Sequence, residues 1–155
     1  MGKAYVKYTK RNLQKVITAM NAIDDTVVKV GLFEEDKYGP ENENYNVAQV
    51  AFWQEYGEGV PERPFVSYTF SDPSLLTKVR NTMKMVAETV FKGNVSSNRQ
   101  LGKLGDEISN MMKWEIITWS TPSNSPSTIE KKGRDDPLVD TGKMWESVKH
   151  KVMKC

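Results

Sequence analysis

The 155-residue chain has one cysteine, one histidine and no long apolar run. Cys155 has no partner for an intramolecular disulfide, so we expect synthesis in a reducing cytoplasm. With His150 as the only histidine, a histidine-based triad lacks a second candidate base, and no recognisable spacing of zinc ligands is present. No apolar stretch approaches the ~20 residues that cross a bilayer, so we expect no membrane segment.

The chain also carries little net charge, because 22 Lys and Arg residues face 20 Asp and Glu residues. A dedicated nucleic-acid binder normally has a much stronger basic field, so near neutrality favours protein partners. Carboxylates cluster at residues 24–25, 34–36 and 135–136 and could in principle pair in a hydrolase. Nothing in the sequence sets such a pair against a pocket. We therefore predict no enzyme, no catalytic residue, no cofactor and no metal.

Length and pattern predict one domain over residues 1–155. Residues 1–11 are basic and irregular, and apolar residues at helical spacing then predict a first helix from Leu13 to Ile23. The β-branched run from Thr26 to Phe33 predicts a strand that is partly covered on both sides. Residues 34–45 are acidic and contain Gly-Pro and Asn, which indicates an exposed loop.

The rest of the chain is organised around residues 46–70, which begin with a short apolar helix. Asn46 and Gln49 have the spacing of a capping box, and Gly57 can close the helix in the left-handed conformation. The apolar face includes Val47 and Phe52, and apolar residues cover more than half of the circumference. We therefore expect this helix to be buried or to lie at an interface.

Residues 60–65, VPERPF, follow this helix and are called the strut here. Pro61 and Pro64 fix their own backbone and bias the preceding residues, among them Arg63, towards extended conformations. The segment from the strut to Phe70 should therefore be extended and made rigid by the two prolines, and it should deliver Phe65 and Tyr68 to fixed positions. We predict structural roles for Pro61, Arg63, Pro64 and Phe65.

Two long apolar stripes then predict an antiparallel helical hairpin. The first helix has a cap at Asp72, proline at its first position, and a stop at Gly93. The second runs from near Leu101 to Trp119, after a polar connection over residues 94–100. Trp119 continues its stripe and should belong to the core, whereas Trp114 falls off the stripe and is a candidate subunit contact.

Residues 120–140 form an extended proline-rich loop without a regular pattern, which is typical of functional or mobile segments. Its Lys131, Lys132 and Arg134 could contact phosphate, although two aspartates follow directly. The alternative to a protein-binding role is therefore a nucleic-acid-binding module that uses these three residues and exposed tryptophans.

A short helical turn capped by Asp140 or Thr141 should precede a C-terminal strand. In that strand Val148, His150 and Val152 should face the core and leave the backbone edge for a neighbouring subunit. They alternate with Lys149, Lys151 and Met153. The fold class is therefore α+β: a small antiparallel or mixed sheet packed against a long helical hairpin, with additional short helices.

The order of these motifs resembles the tailed-bacteriophage neck and tail-completion proteins, the family of the HK97-type minor tail component. The resemblance rests on Glu55-Tyr56-Gly57, the strut, the helical hairpin, and residues 119–142, which contain NSPSTI and PLVDTG. It covers roughly Val27 to Val152. The family's sheet would be expected to continue beyond the point where Cys155 ends this chain.

The resemblance implies a small structural virion protein without enzymatic activity, located in the neck or tail of the particle. Copies would form a ring, six- or twelve-fold, around the DNA channel between the head-tail connector or adaptor and the tail terminator or tail tube. DNA would pass through the lumen without sequence-specific binding. Seven side chains are candidate subunit contacts in such a ring: Trp114, Lys131, Lys132, Arg134, Val148, His150 and Val152.

Overall fold

The computed structural model describes residues 10–94 and 97–155, and within them the predicted α+β class is confirmed. The predictions for residues 1–9, and for residues 95 and 96 of the polar connection, lie outside the described residues. The described elements are α1 (Lys10–Ile23), β1 (Thr26–Gly31), α2 (Val47–Tyr56), α3 (Phe65–Ser71), α4 (Pro73–Phe91), α5 (Ser97–Thr118), α6 (Pro126–Lys132), α7 (Lys143–Glu146) and β2 (Lys149–Lys154), with a short 3-10 turn at Pro40–Asn42.

The sheet consists of β1 and β2, which pair antiparallel with Val28 opposite Val152 and Val30 opposite His150. One face of this ribbon packs on α5. β1 is shorter than predicted, because Gly31 adopts a positive φ and Leu32 turns towards the core. Among the described residues each strand has one edge without a strand neighbour.

The predicted helical hairpin is formed by α4 and α5. The Asp72 side chain accepts a hydrogen bond from the Ser74 amide, Pro73 occupies the first helical position, and Gly93 ends the helix region with a φ of 71°. These local signals act as expected because each satisfies backbone groups that the helix ends leave free. The predicted stripe of α5 is buried at Leu101, Leu104, Ile108, Met112 and Ile116.

The main core lies where α2, α3, α5 and α7 meet. Phe65 and Ile116 are fully buried there, and Val148 is buried just before β2 begins. A second, smaller cluster of Leu75, Leu104 and Ile108 lies under Val30 of β1. The sheet and the hairpin are therefore joined through α5, which contributes to both clusters.

Residues 60–64 of the strut have no regular secondary structure, and the prediction that the chain stays extended after them was wrong. Residues Phe65–Ser71 form α3 instead. The carboxylate of Glu55 accepts the amides of Val66 and Ser67 and so satisfies donors of the first turn of α3. This contact comes from the preceding helix, whereas the extended bias that Pro64 imposes applies to Arg63 before it and leaves α3 free to form.

The proline-rich loop also contains regular structure that we did not predict, because Pro126–Lys132 form α6. Ser125 accepts a hydrogen bond from the Thr128 amide, and Pro126 occupies the first helical position, where its missing N–H costs nothing. The helix ends at Gly133 with a φ of 69°. Proline here begins a helix, and residues 120–140 are not a continuous irregular loop.

The predicted residues cap α2, whereas a different residue stands at the cap position of α7. Asn46 caps α2 by accepting the Ala48 amide, and Gly57 closes the helix with a φ of 72° as expected. The buried face of α2 is Val47, Ala51 and Glu55, so Phe52 is exposed rather than part of a buried face. Gly142, with a φ of 86°, stands at the cap position of α7 in place of Asp140 or Thr141.

Candidate functional site

Arg63 connects the strut to residues 122 and 123, which belong to the second stretch that carries the resemblance. Its Nη1 donates to Oε1 of Gln54 at 2.7 Å, Nε donates to the carbonyl oxygen of Pro122 at 3.2 Å, and Nη2 donates to the carbonyl oxygen of Ser123 at 3.4 Å. Arg63 is almost fully buried, and this desolvation lowers the pKa of its guanidinium, an effect that nearby Asp135 partly offsets. We call Gln54, Glu55, Arg63, Phe65 and residues 121–123 the motif junction.

Glu55 has a role in the motif junction that the sequence did not predict, because it was named only as part of the motif Glu55-Tyr56-Gly57, and Gln54 was not singled out at all. Its Oε2 accepts the Val66 amide at 2.8 Å, and its Oε1 accepts the amide and the hydroxyl of Ser67 at 2.9 and 2.6 Å. The side chain is buried, four positions after Ala51 on the same helix face. A carboxylate on the buried face of a helix was the available signal, because a buried charge requires partners.

Phe65 and the two prolines of the strut are buried to different degrees, and their structural roles stay predictions. Phe65 is fully buried in the main core beside Met112 and Ile116 of α5. Pro64 is half-buried and precedes α3 directly, whereas Pro61 is exposed. Arg63 and Phe65 are therefore the two residues of the strut that are buried.

The basic residues of the proline-rich segment are largely engaged within the segment itself. Lys132 Nζ donates to the carbonyl oxygen of Asp136 at 2.6 Å, and desolvation lowers the pKa of Lys132. Arg134 donates to the carbonyl oxygen of Asp140 and forms an ion pair with the Asp136 carboxylate at 3.1 Å. Lys131 is exposed at the end of α6. Lys132 and Arg134 are thus bonded within the segment, whereas Lys131 and Arg134 are both exposed to solvent.

The PLVDTG motif lines a small pocket of about 170 Å³ between α2, α7 and the loop before α2. Leu138 is buried in the main core, and Gly142 turns the chain into α7. Tyr38 also lines this pocket, and burial, with a further contribution from the charge of Asp140, raises its pKa to about 12. The motif therefore anchors the C-terminal third of the chain against α2.

Trp114 lies on the outer side of α5 and is 65% exposed, in agreement with its position off the apolar stripe. It lines a shallow depression with Asp72 and Glu115. Glu115 also lines a second depression with Tyr68 and Trp119, whose rings meet edge to face at 5.1 Å. We call Tyr68, Trp114, Glu115 and Trp119 the outer face.

Val148, His150 and Val152 all point towards the body of the protein. Val148 is fully buried, whereas His150 and Val152 are partly buried. The His150 ring lies against Gly105 of α5, and its Nδ1 is 3.4 Å from Oδ1 of Asp106. These side chains lie on the face of β2 that packs on α5, and the backbone edge of the strand has no strand neighbour among the described residues.

The other face of the sheet carries an exposed charge network. Glu35 Oε1 accepts a bond from Lys151 Nζ at 2.6 Å and pairs with Lys149 Nζ at 3.3 Å. Lys151 Nζ also lies 4.0 Å from the ring centroid of Phe33. The bond from Lys151 is the largest cause that lowers the pKa of Glu35 to about 2. The network ties the loop after β1 to β2.

Among residues 10–94 and 97–155, no group of three or more His, Cys, Asp or Glu side chains is arranged to hold a metal ion. In the same part of the chain, no helix has both the length and the apolar character needed to cross a membrane. No protein-family model, no curated protein and no solved structure matches the chain.

Proposed function

We propose that this chain is a structural virion protein of the phage neck, whose copies form a ring around the DNA channel and join the capsid connector to the tail. One observation carries the proposal. The stretches that bear the resemblance, residues 55–65 and 119–142, meet at the motif junction, where Arg63 donates to the carbonyl oxygens of Pro122 and Ser123. A pattern that is scattered in sequence is therefore one packed unit in space.

Two exposed features support association between copies. The outer face presents Trp114, and tryptophan is enriched in the buried centres of interfaces. The free edge of β2 presents backbone groups that strand addition could pair. A cyclic ring needs two different surfaces on each copy, because each subunit contacts its neighbours head to tail. The outer face and the β2 edge are two such surfaces.

The proposed partners follow from this location. Each copy contacts further copies of itself, six or twelve to a ring, and the ring contacts the connector or adaptor on one side and the tail terminator or tail tube on the other. The chain is made in the host cytoplasm and acts in the virion. DNA crosses the lumen without sequence-specific contacts, which is consistent with a net charge of +2.

The native mass of the purified protein tests the association. We expect species of six or twelve subunits at concentrations where ring formation is favoured. Trp114→Ala should reduce their fraction while the free energy of unfolding changes by less than about 0.5 kcal/mol, because the side chain is exposed. Trp114→Phe is the control, since it keeps an aromatic ring and should retain most of the assembly. Unchanged assembly of a folded Trp114→Ala protein would exclude the outer face as a contact.

A further inference from the structure

An apolar groove of about 870 Å³ opens where α1 and β1 meet the helical hairpin. It is lined by Met20 and Ile23 of α1, by residues 26–28 of β1, and by apolar side chains of α4 and α5. Met83 and Phe91 of α4 line the groove and are 51% and 63% exposed. Contiguous apolar surface of this kind marks interaction sites in soluble proteins.

Basic side chains border the groove on α4. Arg80 and Lys84 are exposed and precede Ala87 and Phe91, two residues that line the groove, by seven positions. Residues seven apart on a helix share a face, so Arg80 and Lys84 extend the same face towards the start of α4. Within the described part of the chain neither residue forms an ion pair. Both charges are therefore free to meet a partner.

A complementary surface lies on α2, whose exposed side carries Phe52 and Tyr56. These rings are 48% and 65% exposed, lie one helical turn apart, and have centroids 4.7 Å from each other. Val47 and Ala51 are buried in the main core on the same helix, so α2 presents apolar side chains both to the core and to solvent. We call Phe52 and Tyr56 the aromatic ridge.

Acidic side chains flank the aromatic ridge. Glu58 and Glu62 are exposed, and Cβ of Glu62 lies 3.1 Å from the position that a Cβ on Gly57, the residue after Tyr56, would take. Residues 46–62 contain three glutamates and no lysine or arginine. The ridge is therefore aromatic with an acidic border, whereas the groove is apolar with basic residues on α4.

We propose that the groove binds the aromatic ridge of a second copy of this chain, with Glu58 and Glu62 facing Arg80 and Lys84. Anchors four residues apart on a helix are the usual contacts of a helix in an apolar groove. Two aromatic side chains bury ~300–500 Å². This area is about half of the ~800 Å² that each partner contributes to a stable interface.

The ridge and the groove of one copy do not meet, because α2 packs on α3 and α7 whereas the groove lies against α1 and β1. The contact is therefore head to tail, as a cyclic ring requires. It rests on the proposed association between copies and adds a pair of surfaces to the outer face and the β2 edge. Asp24 and Asp25 also line the groove, so their charge favours the orientation that places Glu58 and Glu62 over α4.

Photo-crosslinking in the full-length chain tests the occupant. With p-benzoylphenylalanine in place of Tyr56, which keeps an aromatic ring on the ridge, we expect an adduct that joins two chains at Met83 or Phe91, identified by mass spectrometry. Met85 is the internal control, because it is 53% exposed on α4 but lies outside the groove. Adducts at Met85 or on other elements, without one in the groove, would overturn the proposal.

The native mass of the same sample separates two failures. A chain that stays monomeric would contradict both the proposed ring and the groove contact. A chain that assembles without the adduct at Met83 or Phe91 would contradict the groove contact alone.

Charge reversal provides a second measurement. Glu58→Lys/Glu62→Lys sets like charges against Arg80 and Lys84 and should raise the Kd between copies about tenfold at low salt, measured by sedimentation equilibrium. Arg80→Glu/Lys84→Glu should do the same. All four side chains are exposed, so the variants should fold.

A chain that carries all four substitutions is the matched control, because it restores opposite charges and leaves the net charge unchanged. Its Kd should return to within about threefold of that of the unsubstituted chain. No loss of affinity in either double variant, or an additive loss in the chain with four substitutions, would contradict the proposed contact.

Discussion

Arg63 Nε donates a hydrogen bond to the carbonyl oxygen of Pro122 at 3.2 Å, across 59 positions of the sequence. The same guanidinium holds the Gln54 side chain and the Ser123 carbonyl oxygen. The planar guanidinium of Arg63 thus donates hydrogen bonds to three acceptors in two distant segments. Arginine supplies this geometry, whereas the lysine ammonium does not.

Arg63→Lys should therefore lower the free energy of unfolding by about 1.5–3 kcal/mol, since at least one hydrogen bond from the buried, charged guanidinium is lost. Urea unfolding followed by circular dichroism measures the change. Arg80→Lys is the control, because Arg80 is exposed on α4 and its replacement should have little effect. A stability equal to that of the unsubstituted chain would show that the bonds of Arg63 do not hold the motif junction.

Phe65→Ala should cost about 3–5 kcal/mol, because the ring is fully buried against Met112 and Ile116 and its removal leaves a cavity. Phe70→Ala offers a matched control in the same helix, since Phe70 is 47% exposed. Thermal or urea unfolding distinguishes the two. Similar losses in both variants would mean that α3 as a whole, rather than the buried ring, sets the stability.

Gly105 and Gly102 provide a second matched pair, on α5. An added Cβ at Gly105 would lie 2.5 Å from Cγ of His150, whereas at Gly102 the nearest atom is His150 Nε2 at 4.0 Å. We expect Gly105→Ala to destabilise the protein, because β2 must move away from α5. Gly102→Ala should be neutral or stabilise by up to about 1 kcal/mol through helix propensity.

The double variant Gly105→Ala/His150→Ala checks the cause of that loss. Removal of the imidazole ring relieves the closest contacts, so part of the stability should return. If the double variant loses the sum of the two single changes, the contact between Gly105 and His150 is not the source of the effect.

The acid stability of the chain should depend on Glu35. Its pKa is about 2 in the folded protein, below the ordinary 4.5, chiefly because of the bond from Lys151. A depressed carboxylate pKa contributes stability that is complete above the unfolded pKa. That contribution is lost as the pH falls from about 4.5 to 2. Glu35→Gln should flatten the decline of the unfolding midpoint over this range, and Glu34→Gln, which leaves these bonds intact, should not.

The sequence predicted those elements whose signals are local. Helix caps and helix ends act on backbone groups within a few residues, so the neighbouring sequence suffices to locate them. The caps are at Asn46 and Asp72, and the ends are at Gly57 and Gly93. The buried stripe of α5 was equally readable, because helical spacing alone decides which residues share a face.

The missed features depend on distant or ambiguous partners. The first turn of α3 is bonded by Glu55 of another helix, so the sequence next to α3 does not indicate where it begins. We predicted that Pro126 lies in a loop, although proline is also common at the first position of helices. In the motif junction, two of the acceptors of Arg63 are the backbone carbonyl oxygens of residues 122 and 123. No pattern of side chains in the sequence predicts these two bonds.

Imaging of virions that carry this chain tests the central claim most directly. The chain, labelled by a bound antibody fragment, should appear at the head–tail junction as a ring of six or twelve copies around the DNA channel. Particles assembled without the chain should lack that ring and fail to join heads to tails. A chain that is absent from purified virions, with heads and tails joined normally without it, would contradict the account.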